Sequence, residues 1–367
     1  MISIVHIADT HLDTPFRELP AKVASARRQA IRTALYEALR EAGERGVNVV
    51  LMAGDMFDNG EATGESVRLF VEMAQQYPKT EFFIAPGNHD CLYGSSPYRN
   101  LLRPENLHIF GTGRIERIDF DEYTVYGVGC LYERSEEQLL SGFRVADPTR
   151  INIMCMHSQV QGFGGHAVYQ PITLDQIANS GLDYLALGHV HTYSGICQSG
   201  NTYYAYPGTL VGRGFDETGA KGYLKGTVDK GKVELDFIES TVGRFETVEI
   251  DVAGVQSMTE LVARVRGCLA SISAEWLVKL VLVGSRPAHL MINLAALSQE
   301  GKHLQFCKII DKTRLERNIE QLMKENTLTG LFLRELAKES VDEELRNQAI
   351  SLGLAALAGE ELMGFED

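Results

Sequence analysis

Short apolar runs punctuate the first half of the chain and alternate with stretches of helical spacing. The runs Ile2–Ala8, Val47–Ala53, Glu81–Ala85, Ile151–Met156 and Tyr184–Leu187 have strand length and read as β-strands. Ala21–Arg45 sets Ala30, Ala34, Leu35, Ala38 and Leu39 on one helical stripe, closed by Gly43 and Gly46. Glu65–Gln76 repeats that spacing with Val67, Leu69, Phe70, Met73 and Ala74, and stops before Pro78. Further strands are expected at Tyr123–Gly129 and Thr202–Tyr206, with a hairpin over Tyr223–Phe237 turning through Asp229-Lys230-Gly231-Lys232. Strands alternating with helices, then strand-rich sequence, predict an α/β fold over residues 1–243: a two-sheet β-sandwich flanked by helices.

From Arg244 the pattern changes. Phe245–Val252, Leu277–Val283 and Gln305–Ile310 read as strands and Met258–Ser271 as a helix, a small α+β cap over residues 244–311 able to sit above a site. Residues 312–367 keep only helical spacing (Ile319, Leu322, Met323; Leu331, Phe332, Leu336; Ile350, Leu354, Leu357) and form a helical C-terminal segment.

A polar motif follows each of the five apolar runs. In order they are Asp9-Thr10-His11, Gly54-Asp55-Met56-Phe57-Asp58, Gly87-Asn88-His89-Asp90, Met156-His157-Ser158 and Gly188-His189-Val190-His191. Asp, Asn and His at strand ends supply the oxygen and imidazole donors that a pair of hard or borderline divalent ions needs, without thiolate. Such a pair acidifies water and clamps a phosphoryl group, so the set points to phosphodiester hydrolysis. Asp55 is the carboxylate placed to bridge both ions. Asp9 and His11, two apart, point to the same side if the strand continues, and so reach one ion together. His189 and His191 repeat that spacing or splay toward different ions. Asn88 and His157 add neutral donors. His89 sits beside them as a proton donor to the leaving oxygen, with Asp58 to orient it and Asp90 as the competing orienter.

Charge complicates the substrate. The net charge is −14, whereas a chain that binds DNA alone normally offers a basic face. Either the substrate is small or a partner supplies the basic surface. The six cysteines show no CxxC spacing and suit reduced thiols. No leader-like or membrane-spanning stretch is read, so a cytoplasmic protein without membrane association is expected. His6 reads as a core residue. His166, Asp13, Arg17 and Arg213 read as loop or surface groups that could reach a phosphate backbone.

The five motifs, in this order, resemble the calcineurin-like metallophosphoesterase superfamily, whose pattern D-x-H, GD-x-x-D, GNH-D/E, H and GH-x-H covers roughly residues 1–210 here. The resemblance implies that Asp9, His11, Asp55 and His191 hold one metal ion. It gives Asp55, Asn88, His157 and His189 to the other, with His89 and Asp58 as an acid dyad. Leu187–His191, Tyr206-Pro207-Gly208-Thr209, Gly214-Phe215-Asp216-Glu217 and Lys221-Gly222-Tyr223 look like the SbcD/Mre11 DNA repair nucleases; Asp58 is similar to their bacterial branch, within which the chain as a whole looks like the YhaO-type subgroup. That implies two Mn2+ ions (with Fe, Zn or Mg as alternatives), exonuclease and endonuclease action on DNA, a Rad50/SbcC-like ATPase as partner, and a homodimer as a further option. The alternatives are a small-substrate phosphodiesterase, for example of cyclic nucleotides, a phosphatase, and a non-catalytic scaffold. Asn59-Gly60 after the second motif, and Asp90 closing the third, depart from the protein phosphatase pattern.

Overall fold

The computed structural model describes residues 1–58, 60–94, 96–99, 101–132, 135–162, 169–316 and 319–358. His166 lies outside them. Backbone contacts divide the chain into two units, one of residues 1–248, 268–280 and 298–308, the other of residues 249–267, 281–297 and 309 onward.

The first unit holds two six-stranded mixed sheets, as the alternation of strand and helix predicts. Its elements are β1 (Ile2–Ile7), α1 (Ala21–Glu44), β2 (Val49–Met52), α2 (Gly64–Gln76), β3 (Glu81–Ile84), β4 (Leu107–Ile109), β5 (Glu116–Asp119) and β6 (Tyr123–Val128). There follow β7 (Ile151–His157), α3 (Leu174–Ser180), β8 (Tyr184–Gly188), β9 (Cys197–Ser199), β10 (Thr202–Ala205), β11 (Gly222–Asp229) and β12 (Lys232–Glu239). One sheet runs β12-β11-β1-β2-β3-β4, with β1 to β4 parallel; the other runs β5-β6-β7-β8-β10-β9, with β6, β7, β8 and β10 parallel. Parallel strands covered on both faces read as unbroken apolar runs, and β2 shows why. Val49 and Leu51 face the second sheet's Ile153, Cys155, Tyr184 and Ala186, while Val50 and Met52 face the helices. A third cluster packs Met154, Met156, Leu185 and Leu187 with Ile177 of α3.

Helix α1 buries Ala24, Arg27, Ile31, Ala34, Leu35, Ala38, Leu39 and Ala42, a stripe at three- and four-residue spacing. Arg27 is the polar member of that stripe. Its guanidinium donates to the carbonyls of Gly243 and Gly212 and stands 5.1 Å from the Phe245 ring. Gly43 lies inside the helix, where a side chain would overlap Tyr77; Gly46, at φ 63°, makes the left-handed exit. Helix α3 starts on a capping box between Thr173 and Gln176.

Beyond β12 come β13 (Phe245–Asp251), α4 (Met258–Leu269), β14 (Leu277–Val283), β15 (Ser285–Arg286), α5 (Leu294–Ser298), β16 (Phe306–Asp311) and β17 (Arg314–Leu315). Phe245, Leu277 and Phe306 belong to the core of the first unit. In the second unit Leu261 and Val265 are buried on one side of α4, and helices α6 (Ile319–Lys324), α7 (Leu328–Leu336) and α8 (Glu343–Ala358) pack in sequence. Leu328, Leu331, Leu345, Leu352 and Leu357 of α7 and α8 are exposed. Among the described residues no helix is long and apolar enough to cross a membrane.

Candidate metal centre

The five motifs sit at the carboxyl ends of β1, β2, β3, β7 and β8, where the two sheets converge. Several of these residues leave their strands in the left-handed region: Asp9 at φ 49°, His11 at 45°, Asp55 at 52° and His189 at 104°. Main-chain bonds hold them there. Asp9 N–H donates to Gly54 O and His11 N–H to Asp55 O, each at 3.0 Å. Asp9 and His11 therefore reach one point through left-handed backbone past the strand, and strand alternation is not the reason. Gly54 and Gly87 keep the crossing open, since a Cβ at Gly54 would overlap the His157 ring and one at Gly87 the Asp55 carboxylate.

Asp55, Asn88 and His157 form one half of the centre. His157 Nδ1 donates to Ala53 O at 2.9 Å, which leaves Nε2 facing Asn88 Oδ1 at 3.0 Å and Asp55 Oδ2 at 3.4 Å. Asp55 Oδ1 accepts the His89 N–H at 2.8 Å. The His189 ring lies edge-on to His157, 5.2 Å between centroids, and stacks on Tyr169 at 5.5 Å.

Asp9, His11 and His191 form the other half. His11 Nδ1 donates to Asp58 Oδ1 and His191 Nδ1 to Glu217 Oε1, both at 2.7 Å. Their Nε2 atoms turn inward, His11 to 3.8 Å from Asp55 Oδ2 and His191 to 3.7 Å from Asp9 Oδ1. Arg213 backs this half. It donates to Glu217 Oε1 at 2.8 Å and stands 3.8 Å from Asp58 Oδ1. So His189 and His191 splay, one toward each half.

The donor set fits a pair of divalent ions. Ligand atoms 2.0–2.2 Å from one ion lie about 3–3.6 Å apart, close to the Nε2-to-carboxylate separations here. The buried His11 Nε2 has no hydrogen-bond partner, and an uncompensated buried polar atom is costly unless something binds it. Three triads, Asp9-His11-His191, His11-Asp58-His89 and Asp9-Asp55-His157, each bring ligand atoms within 4.8 Å of one another. Burial opposes charge on Asp55, yet the imidazoles of His157, His11 and His89 hold its carboxyl below the ordinary range. Burial likewise opposes charge on His157, but Asp55 and Asp9 push it up to about 9. Burial outweighs Asp58 at His11 and pushes that imidazole down, so its Nε2 lone pair is available.

Residues 2–193, more than half of the chain, match the calcineurin-like phosphoesterases. The chain belongs to that family. As a calcineurin-like phosphoesterase it is a hydrolase of phosphoester bonds, from a family that uses divalent metal ions. It is 27% identical over 306 residues to the uncharacterized metallophosphoesterase YhaO of Bacillus subtilis (strain 168), spanning 79% of this chain and 74% of that protein. The DNA double-strand break repair protein Mre11 of Methanopyrus kandleri is 25% identical over 291 residues, 72% of this chain and 62% of that protein. Mre11 of Saccharolobus solfataricus is 23% identical over 218 residues, 57% and 54% respectively.

Within this candidate centre some residues stand elsewhere than the sequence suggests. Asp58 makes its short bond to His11, and His89 Nδ1 is 3.4 Å from the same oxygen, with its side chain 41% exposed. Asp90 does not orient His89. Its buried carboxylate accepts the N–H groups of Gly87, Asp55 and Met56 and the Tyr98 hydroxyl, bracing two motif loops together. Asp13 is also structural, accepting from Arg32 at 2.6 Å, from Thr63 N–H and from the Ser66 hydroxyl. Arg17 is exposed, 3.7 Å from Glu61. His6 is a core residue as read, 2.8 Å from the Tyr184 hydroxyl. Glu217 is the functional group that sequence reasoning left without a role; its only signal was its place in the Gly214–Glu217 motif.

Proposed function

We propose that this chain is a two-metal phosphodiester hydrolase, the manganese-dependent DNA exo/endonuclease subunit of an SbcD/Mre11-like repair complex, working beside a Rad50/SbcC-like ATPase. One observation carries the hydrolase reading: three imidazoles anchored through Nδ1 turn Nε2 toward two buried carboxylates, Asp9 and Asp55. Similarity to two Mre11 repair proteins supports the choice of DNA. In this reading residues 1–243 are the catalytic domain, 244–311 the cap and 312–367 the segment for the partner.

Asp9, His11, Asp55 and His191 would hold one ion, and Asp55, Asn88, His157 and His189 the other. When bound, such ions supply a water-derived nucleophile at neutral pH and neutralise the phosphoryl oxygens. Asp58 and Glu217 fix the rings of His11 and His191, and Ala53 O fixes His157, so the donors are oriented before substrate arrives. Half-exposed His89 gives its proton to the leaving oxygen, and Asp58 stabilises the charged ring.

The test is cleavage of labelled DNA by purified protein with Mn2+. His89→Ala should lower kcat by about 10²–10⁴-fold, the usual worth of a positioned proton donor, with Mn2+ binding intact. Unchanged cleavage by the variant would remove His89 from the chemistry. The net charge of −14 favours a second reading, a small-substrate phosphodiesterase or phosphatase. Turnover of a small diester with DNA left intact, even beside a co-purified ATPase, would select it.

A further inference from the structure

Two aromatic side chains stand out on the loops beside the centre. Tyr93 and Tyr132 are 65% and 52% exposed, with ring centroids 5.4 Å apart at 52°. Neither hydroxyl has a hydrogen-bond partner among the described residues. Tyr93 follows His89 by four residues, and four residues span at most about 14 Å, so its loop stays within a few nucleotides of a scissile phosphate.

Main-chain hydrogen bonds join the two loops under the rings. Leu92 N–H donates to Cys130 O at 3.0 Å and Cys130 N–H to Pro86 O at 2.8 Å, tying the two loops to each other. Leu92 packs on the core, which turns its neighbour Tyr93 outward. Tyr169 joins this platform to the site: its ring stacks on His189, and its hydroxyl donates to Tyr132 O at 3.0 Å.

We propose that Tyr93 and Tyr132 form a nucleobase-stacking subsite on the rim of the metal centre, taking an unstacked base next to the phosphate being cut. The proposal rests on the nuclease reading and names how the substrate strand is gripped. It also answers the charge problem. Every base offers a π-face, so stacking adds affinity for a strand without neutralising phosphates, which suits a chain of net charge −14. The exposed leucines of α7 and α8 offer aliphatic surface suited to protein, whereas this rim offers two amphipathic rings beside phosphodiester chemistry.

The test compares a labelled single strand with the same strand made abasic over its terminal nucleotides, under Mn2+, for wild type, Tyr93→Ala/Tyr132→Ala and Tyr93→Trp. Wild type should show a KM for the base-bearing strand lower than for the abasic one by roughly 5- to 150-fold, the range set by stacking one base. The double variant should bring that ratio close to one, and Tyr93→Trp should keep it. Wild-type KM should also rise far less than 10³-fold between 50 and 200 mM salt, the change a phosphate-held complex shows. An equal ratio in wild type and double variant, with cleavage intact, overturns the subsite and leaves the nuclease reading standing. So does a change of oligomeric state in the double variant at an unchanged ratio, which would make the tyrosines a contact between copies. Wild-type protein that cuts neither strand, even beside a co-purified ATPase, overturns both.

Discussion

The two halves of the centre hold their imidazoles by different means. At His157 the anchor is a main-chain carbonyl, that of Ala53, a buried member of the core between the sheets. At His11 and His191 the anchors are the carboxylates of Asp58 and Glu217, whose side chains are 17% and 10% exposed and which lean in turn on Arg213. A carbonyl cannot be titrated or substituted away. A carboxylate can, and while it lasts it raises the basicity of the ring it holds. One half is therefore fixed by the fold and the other is tuned by charge, although both meet at Asp55.

The largest expected effect comes from forcing the fold-determined half. Gly54→Ala places a methyl group against the His157 ring at a backbone φ of 83°, which an L-residue adopts only under strain. His157 must leave its carbonyl. Loss of about 1–3 kcal/mol of stability should follow from the strained backbone, read by thermal melting, together with loss of one of two Mn2+ sites in calorimetry. Retention of both sites would mean that the halves are not separately anchored.

Glu217→Gln should act on the other half alone. Weakening the group behind a metal-binding imidazole typically lowers metal affinity or activity by about 10- to 100-fold, so calorimetry should show one weakened Mn2+ site and one unchanged. Two equally weakened sites would erase the distinction. Proton release sharpens it further. His157 in the metal-free protein is raised to about 9, so at neutral pH it carries a proton that an ion must displace. Affinity at that half should climb about tenfold per pH unit between pH 6 and 8 and level off above about 9. In the other half His11 is pushed down by burial and releases none, while His191, raised by Glu217 and Asp9 against its burial, adds a share of its own. Titrations in buffers of different ionisation enthalpy would count the protons, and a count of zero would remove His157 from the ligand set.

Much of this was legible in the sequence, for a physical reason. Ligands confined to strand ends leave a regular mark, an apolar run followed by Asp, Asn or His, and five such marks in order carried the fold and named the candidate residues that the structure gathers at one place. Short elements left no mark: β4 and β9 are three residues each, too brief for a period. Helix α3 was signalled by Thr173 and Gln176, a capping box visible only when helix starts are sought apart from apolar stripes. Glu217 was illegible because its partner, His191, is brought to it by a loop and not by any repeat. Arg27 was hidden by its type, since a charged residue on a helical stripe is read as surface.

Arg27 has a consequence for the order in which the chain is made. Its acceptor Gly243 lies 216 residues downstream. At roughly 5–20 residues per second, α1 leaves the ribosome some 10–40 s before that carbonyl exists. Until then the guanidinium must stay in water, and the helix face that carries Ile31, Leu35 and Leu39 cannot seal over it. Helix α1 thus waits for a loop made long after it. A nascent chain halted before Gly243 would be expected to remain open along α1, a substrate for proteases and chaperones rather than a smaller enzyme.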